Sequence, residues 1–164
     1  MPRIEFAALP DHGRLWVFPA ARELAGHEER RLLAEVDAFL EGWAAHGDPL
    51  TAGYAWTEDR FLLVAVDRRS VPPSGCSIDA LMRALKELEA RTGKRLVDHG
   101  PVYVRDETGE VIRMSRKEFR DAAARGAVTL DSRVFDTTLT SLGAYRAGRM
   151  EVPARASWHG GALF

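Results

Sequence analysis

Six consecutive apolar residues, Phe61-Leu-Leu-Val-Ala-Val66, constrain the fold of this chain more than any other feature. The run is strand-sized and far short of the roughly 20 residues that a membrane span needs. A strand alternates its side chains between two faces, so apolar residues at every position demand burial on both. The run therefore predicts a central strand with a layer on each side. Ala52–Thr57 reads as a second strand before it. Glu58-Asp59 is the turn between them, without the glycine that the strongest hairpin signals carry.

The flanking segments supply the covering layers. Arg14–Phe18 reads as a strand closed by Pro19. From His27 to Ala45, Leu32, Val36, Phe39, Leu40 and Trp43 recur at helical spacing, with Glu28 and Glu29 in the first turn and Gly47 and Pro49 as the stop. A second helix is predicted over Ile78–Thr92, N-capped by Ser77 and followed by Gly93. Val102–Arg105 and Glu110–Met114 read as strands around Asp106–Gly109. Ser115 and Glu118 form a capping box, and Met114 and Phe119 its hydrophobic staple, at the head of a third helix that ends by Gly126. Val134-Phe135 predicts a last short strand, and Thr140–Ala147 a short helix.

Strand, helix, strand, strand, helix, strand is the order of a split βαβ, ferredoxin-like sandwich. The expected fold is thus α+β: a ferredoxin-like domain over residues 1–105 and a small strand–helix extension with a C-terminal tail over 106–164. At 164 residues and 46% apolar content the chain can build a core without staples. One cysteine permits no internal disulfide, and no signal-peptide pattern precedes Arg14, so the expected location is cytoplasmic. Lys plus Arg number 23 against 24 for Asp plus Glu, with no basic stripe, so neither nucleic acid nor a membrane is the expected partner. The basic run Arg113 to Arg120 reads as the solvated face of a helix.

Chemistry could gather around Pro73-Ser-Gly-Cys-Ser-Ile-Asp79. Cys76 sits at a helix start, where unpaired N–H groups favour thiolate, and antiparallel helices would bring His46 to the same edge. Cys76, His46, His99 and Asp79 are therefore the candidate catalytic residues, against a bland alternative of a core cysteine beside ordinary capping. Ser74, Gly75 and Ser77 are candidate binding residues at that helix start. Trp158 and His159 form a second candidate binding pair, in a tail whose tryptophan docks into a groove of its own chain or a partner's. No metal-ligand spacing exists among Cys and His, Asp98-His99 being a lone pair. No G-x₄-G-K-[ST] and no G-x-G-x-x-G exists either, so no cofactor is expected and ATP hydrolysis of the Walker type is excluded.

Arg14-Leu-Trp-Val, Trp43-Ala-Ala-His-Gly-Asp-Pro-Leu50, Ser74-Gly-Cys-Ser-Ile-Asp79 and Ser157-Trp-His159 together resemble a small bacterial family often labelled "ABC transporter ATPase". The resemblance spans nearly the whole chain and carries over no catalytic residues. Val102-Tyr-Val-Arg, Ser115-Arg-Lys-Glu-Phe119, Ser132-Arg-Val-Phe135 and Trp158 are similar to a bacterial GYF-type module, although its Gly-Pro step and tryptophan-led opening are missing. That resemblance implies a small adaptor fold associated with peptide binding. The expected function is a binding or adaptor protein with a protein or peptide partner. The alternative is a thiol-dependent enzyme or redox sensor centred on Cys76.

Overall fold

The computed structural model describes residues 3–69 and 71–164. It is α+β, with two principal antiparallel sheets stacked between helices. The first sheet contains β1 (Arg14–Pro19), β4 (Ala52–Thr57) and β5 (Phe61–Val66) in the order β1-β5-β4. The apolar run is its central strand, and all six residues are buried. Their alternation serves two cores. Leu62, Val64 and Val66 face α1 (His27–Glu41) and α2 (Gly75–Thr92) through Leu32, Val36, Leu81, Leu85 and Leu88. Phe61, Leu63 and Ala65 face the other way, towards Tyr103, Val111 and Phe135 of the second sheet and Met150 just before its last strand.

That second sheet has the order β7-β6-β8-β9, built from β6 (Val102–Arg105), β7 (Val111–Met114), β8 (Arg133–Phe135) and β9 (Glu151–Pro153). Its outer face carries α3 (Arg116–Ala124) and α5 (Trp158–Ala162), packed through Val102, Val104, Phe119, Val134 and Leu163. α4 (Leu142–Arg146) closes the end of the shared core with Leu142. The boundary expected at residue 106 therefore falls inside the β6–β7 hairpin, whose strands pair from Val102↔Met114 to Arg105↔Val111.

Val102–Arg105, the expected fourth strand of a ferredoxin-like sheet, belongs to the second sheet instead. After α2 the chain touches the end of β1 and the residues just beyond it only briefly: Asp98 N–H donates to Pro19 O at 3.0 Å and Ala21 N–H to Arg95 O at 3.0 Å. Gly100-Pro101 then turns it away, and a proline supplies no N–H to a ladder. The rest of the β1 edge is covered from elsewhere, by Leu15 N–H donating to Thr140 O at 2.9 Å and by an antiparallel bridge from Arg14 to Ser141. The vacant strand position is thus filled by two unrelated segments, which protects an edge that would otherwise pair with other chains.

Two helix ends differ from expectation. α1 stops at Glu41, with Gly42 as its cap, rather than at Ala45. Residues beyond it form a small hairpin of β2 (Ala44–Ala45) and β3 (Asp48–Pro49). Its turn residues His46 and Gly47 both have positive φ, 52° and 83°, as a two-residue primed turn requires. α2 begins at Gly75, so Ser74 and not Ser77 is its N-cap. The two serines cap each other: Ser77 N–H donates to Ser74 Oγ at 3.2 Å and Ser74 N–H to Ser77 Oγ at 2.8 Å. The Ser115–Glu118 capping box of α3 is present as expected. Among the described residues no helix is long and apolar enough to cross a membrane.

Candidate functional site

Cys76 and Asp79 lie on α2 and His46 on the hairpin after α1, while His99 lies apart from them. Cys76 is exposed on the first turn of α2, and Asp79 is exposed one turn further along. Trp43 Nε1–H donates to Ser77 O at 2.8 Å and draws the β2–β3 hairpin to this end of α2. His46, however, sits exposed at the hairpin tip. Ser74 and Ser77 are occupied with capping, and Ser77 is buried. His99 lies beyond the other end of the 18-residue α2, which is about 27 Å long at 1.5 Å per residue. Neither Cys76 nor His46 lines any of the cavities described below.

His99 belongs to a different constellation, where the chain crosses from the first sheet to the second. A cavity of about 410 Å³ opens there, lined by Arg95, Val97, Asp98, His99, Gly100, Pro101, Arg113, Ser115 and Arg116. Its base is Asp98, which is only 5% exposed. Arg113 Nε–H donates to Asp98 Oδ2 at 2.6 Å, and Arg95 Nη1 lies 3.6 Å from Oδ1. Tyr103 Oη lies 2.7 Å from Asp98 Oδ2 and 2.9 Å from its carbonyl oxygen, so one phenolic proton serves two acceptors. Burial opposes the Asp98 charge, but the hydrogen bonds from Arg113 and Tyr103 outweigh it and hold the carboxyl below its ordinary range. Tyr103 is pushed upward by burial and by its bond to Asp98, so it remains a neutral donor. Behind its ring, at 5.7 Å, lies the buried guanidinium of Arg60, which donates to Ala21 O at 3.1 Å.

The third arginine is held by the tail. Arg116 Nε–H donates to Gly100 O at 3.2 Å, and its guanidinium lies 5.0 Å over the Trp158 ring. Trp158 in turn stacks on His159, with centroids 4.0 Å apart and planes 24° from parallel. His159 is 1% exposed, and its Nδ1 lies 2.6 Å from Ser157 Oγ. Burial lowers its pKa to about 4, so the ring is neutral beneath the tryptophan. Gly160 makes this seat possible, because a Cβ there would meet Ala154 O at 2.6 Å. Trp158 and His159 therefore dock on their own chain, and Trp158 acts as a platform for Arg116.

The basic run from Arg113 to Arg120, read from sequence as one solvated helix face, is divided between two elements. Arg113 lies on β7 and Arg116 at the start of α3, and both line the cleft. Arg95 joins them from the segment after α2. Nothing in their spacing announces this convergence; the one sequence clue is Asp98, an acid just before the Gly-Pro step. The wall carries three guanidiniums and one carboxylate. Each guanidinium has five N–H donors, and only some of them are used within the protein. His99 Nε2 is engaged at 2.7 Å with Val17 O, which leaves Nδ1 as the ring nitrogen available to a ligand.

A more apolar cavity of about 230 Å³ lies between α1 and α2, with Leu24, Leu32, Leu88 and Leu96 in its wall. Its acid, Glu28, is already paired with Arg22 and Lys94. Among the described residues no group of three or more His, Cys, Asp and Glu side chains is placed to hold a metal ion.

No family model, curated protein or solved structure matches this chain. The functional reading rests on the chemistry of the cleft, since a fold by itself does not specify function.

Proposed function

We propose that this is a cytoplasmic binding protein, without ATPase activity, that holds an anionic ligand in the cleft at the crossover between its sheets. One observation carries the reading: Arg95, Arg113 and Arg116, from three separate elements, line a single cavity with Asp98 as the only carboxylate in its wall. The chain as a whole has a formal charge of −1, so this wall is a local concentration of positive charge. Anchoring on Asp98, Gly100 O and the Trp158 ring reduces the motion each arginine must lose on binding. Guanidinium forks match carboxylate and phosphate oxygens in plane and spacing. Asp98 fixes two of the arginines, and with its proton lost it cannot itself act as an acid. The one hydroxyl in the wall, Ser115, is held in the α3 capping box, where its Oγ accepts from Glu118 N–H at 3.0 Å, which favours binding over catalysis. The first sheet can be regarded as a ferredoxin-like unit whose fourth strand has been diverted to build this cleft.

Titration calorimetry with sodium phosphate, sulfate and citrate at low ionic strength tests the reading. At least one anion should bind saturably. Arg116→Gln should weaken that binding by about tenfold, the order expected for one charge-assisted contact, while Cys76→Ser leaves it unchanged. Absence of saturable binding to any of the three would overturn the proposal. Saturable ATP turnover by highly purified protein would overturn its non-catalytic part.

A further inference from the structure

We infer that the anionic group is a phosphate monoester carried on a small organic molecule, an inference that rests on the anion-binding reading above. A carboxylate offers two oxygens in one plane and is satisfied by a single guanidinium fork. A phosphoryl group offers three terminal oxygens in three directions. The cleft supplies cations from three elements: Arg95 from the crossover segment, Arg113 from β7 and Arg116 from the start of α3.

Three guanidiniums and one carboxylate, Asp98, share the wall and leave an excess of two positive charges, which a dianion neutralises and a monoanion does not. The positive end of the α3 dipole opens at the same place, since Ser115 and Arg116 line the cavity. Glu118 partly offsets that dipole, because its carboxylate accepts from Ser115 N–H at 3.0 Å. The arginines, not the helix, therefore carry the selectivity.

The cavity, at about 410 Å³, has ample room beyond one phosphoryl group, and Val97 and Pro101 give it an apolar wall. The depression is open to solvent, so it seats the phosphoryl group and leaves the organic part partly exposed. His99, through Nδ1, is placed to hydrogen-bond a hydroxyl of the organic part.

The experiment compares glycerol 3-phosphate, inorganic phosphate, glycerate and a phosphoserine peptide by calorimetry at one ionic strength. Glycerol 3-phosphate should bind at least about tenfold tighter than glycerate, the step expected from one more charge-assisted contact. Inorganic phosphate should fall between them. Arg95→Gln and Arg116→Gln should each remove most of that preference, and their thermal unfolding midpoints, matched to the parent protein, show that the fold is intact. Glycerate binding as tightly as glycerol 3-phosphate would overturn the phosphate inference while leaving the anion-binding reading in place. A phosphoserine peptide binding more tightly than glycerol 3-phosphate would overturn the small-molecule assignment. Failure of every anion to bind would remove both.

Discussion

At the scale of single residues, burial sets the charge state of the groups around the cleft. Asp98 is charged at the base because three polar side chains converge on it, whereas His159 is neutral because nothing comparable compensates its burial. Asp136 pulls the His159 pKa upward, but burial, aided by the positive charge of Arg116, lowers it to about 4 from the usual 6.5. Between those two pH values the unfolded chain binds a proton that the folded chain refuses. The stabilisation from a neutral His159 is therefore complete above about pH 6.5 and is lost as the pH falls towards 4. The loss is on the order of 3 kcal/mol if the ring stays buried throughout. His159→Asn keeps a polar group for Ser157 and does not titrate. Urea unfolding at pH 7 and pH 5 should show a smaller drop in stability for the variant than for the parent. An equal drop in both would mean that another group governs the acid response.

Among the elements, turns and caps follow local chemistry, with one costly exception. The β4–β5 hairpin turns at Glu58 and Asp59, whose φ angles are 58° and 52°. Left-handed backbone is unfavourable for a residue with a Cβ, by roughly 1–2 kcal/mol. Glu58 has a compensation, because Arg105 Nη2–H donates to its carboxylate at 2.7 Å. Asp59 contributes its carbonyl, which accepts from Leu24 N–H at 2.8 Å, and this bond survives any side-chain change. Asp59→Gly should therefore stabilise the protein by about 0.5–1 kcal/mol, the strain relieved less the entropy that glycine adds to the unfolded chain. A rise in the thermal midpoint would bear this out, and a fall would show that the Asp59 side chain matters to the turn.

The molecule as a whole is joined by a core shared between its two sheets. Leu15, Val17, Phe61 and Leu63 from the first pack with Tyr103 and Phe135 from the second and with Met150 just before its last strand. Such a core couples the N-terminal and C-terminal parts into one cooperative unit. Leu63→Ala, at a fully buried site in the middle of β5, should cost about 2–5 kcal/mol. It should lower a single transition seen alike by far-ultraviolet circular dichroism and tryptophan fluorescence. Two separated transitions would show that the sheets unfold independently. The same stacking builds the cleft, because the crossover segment must leave β1 and reach β6 at the junction of the layers.

The apolar run Phe61–Val66 announced burial on both faces by itself, since strand alternation allows no other use for six apolar residues in a row. The Ser115–Glu118 box and the hairpin turns at Glu58 and Asp106 were equally legible, each depending on neighbours within a few residues. The end of α1 is not legible locally, because the apolar pattern keeps helical spacing through Trp43 while the helix stops at Glu41. Trp43 is buried as expected, but on a hairpin strapped to α2 by its indole N–H. The partner of Val102–Arg105 depended on where Gly100-Pro101 sent the chain, and no local pattern encodes that direction. The candidate site was the least legible part. Arg95, Arg113 and Arg116 each look like solvated surface charges in sequence, and nothing near His99 in sequence points to the arginines that share its cavity. Periodicity and capping are settled by contacts a few residues apart. The gathering of Arg95, Arg113 and Arg116 in one wall, two of them on the buried Asp98 carboxylate, is settled by how two sheets stack, through contacts between segments far apart in the chain.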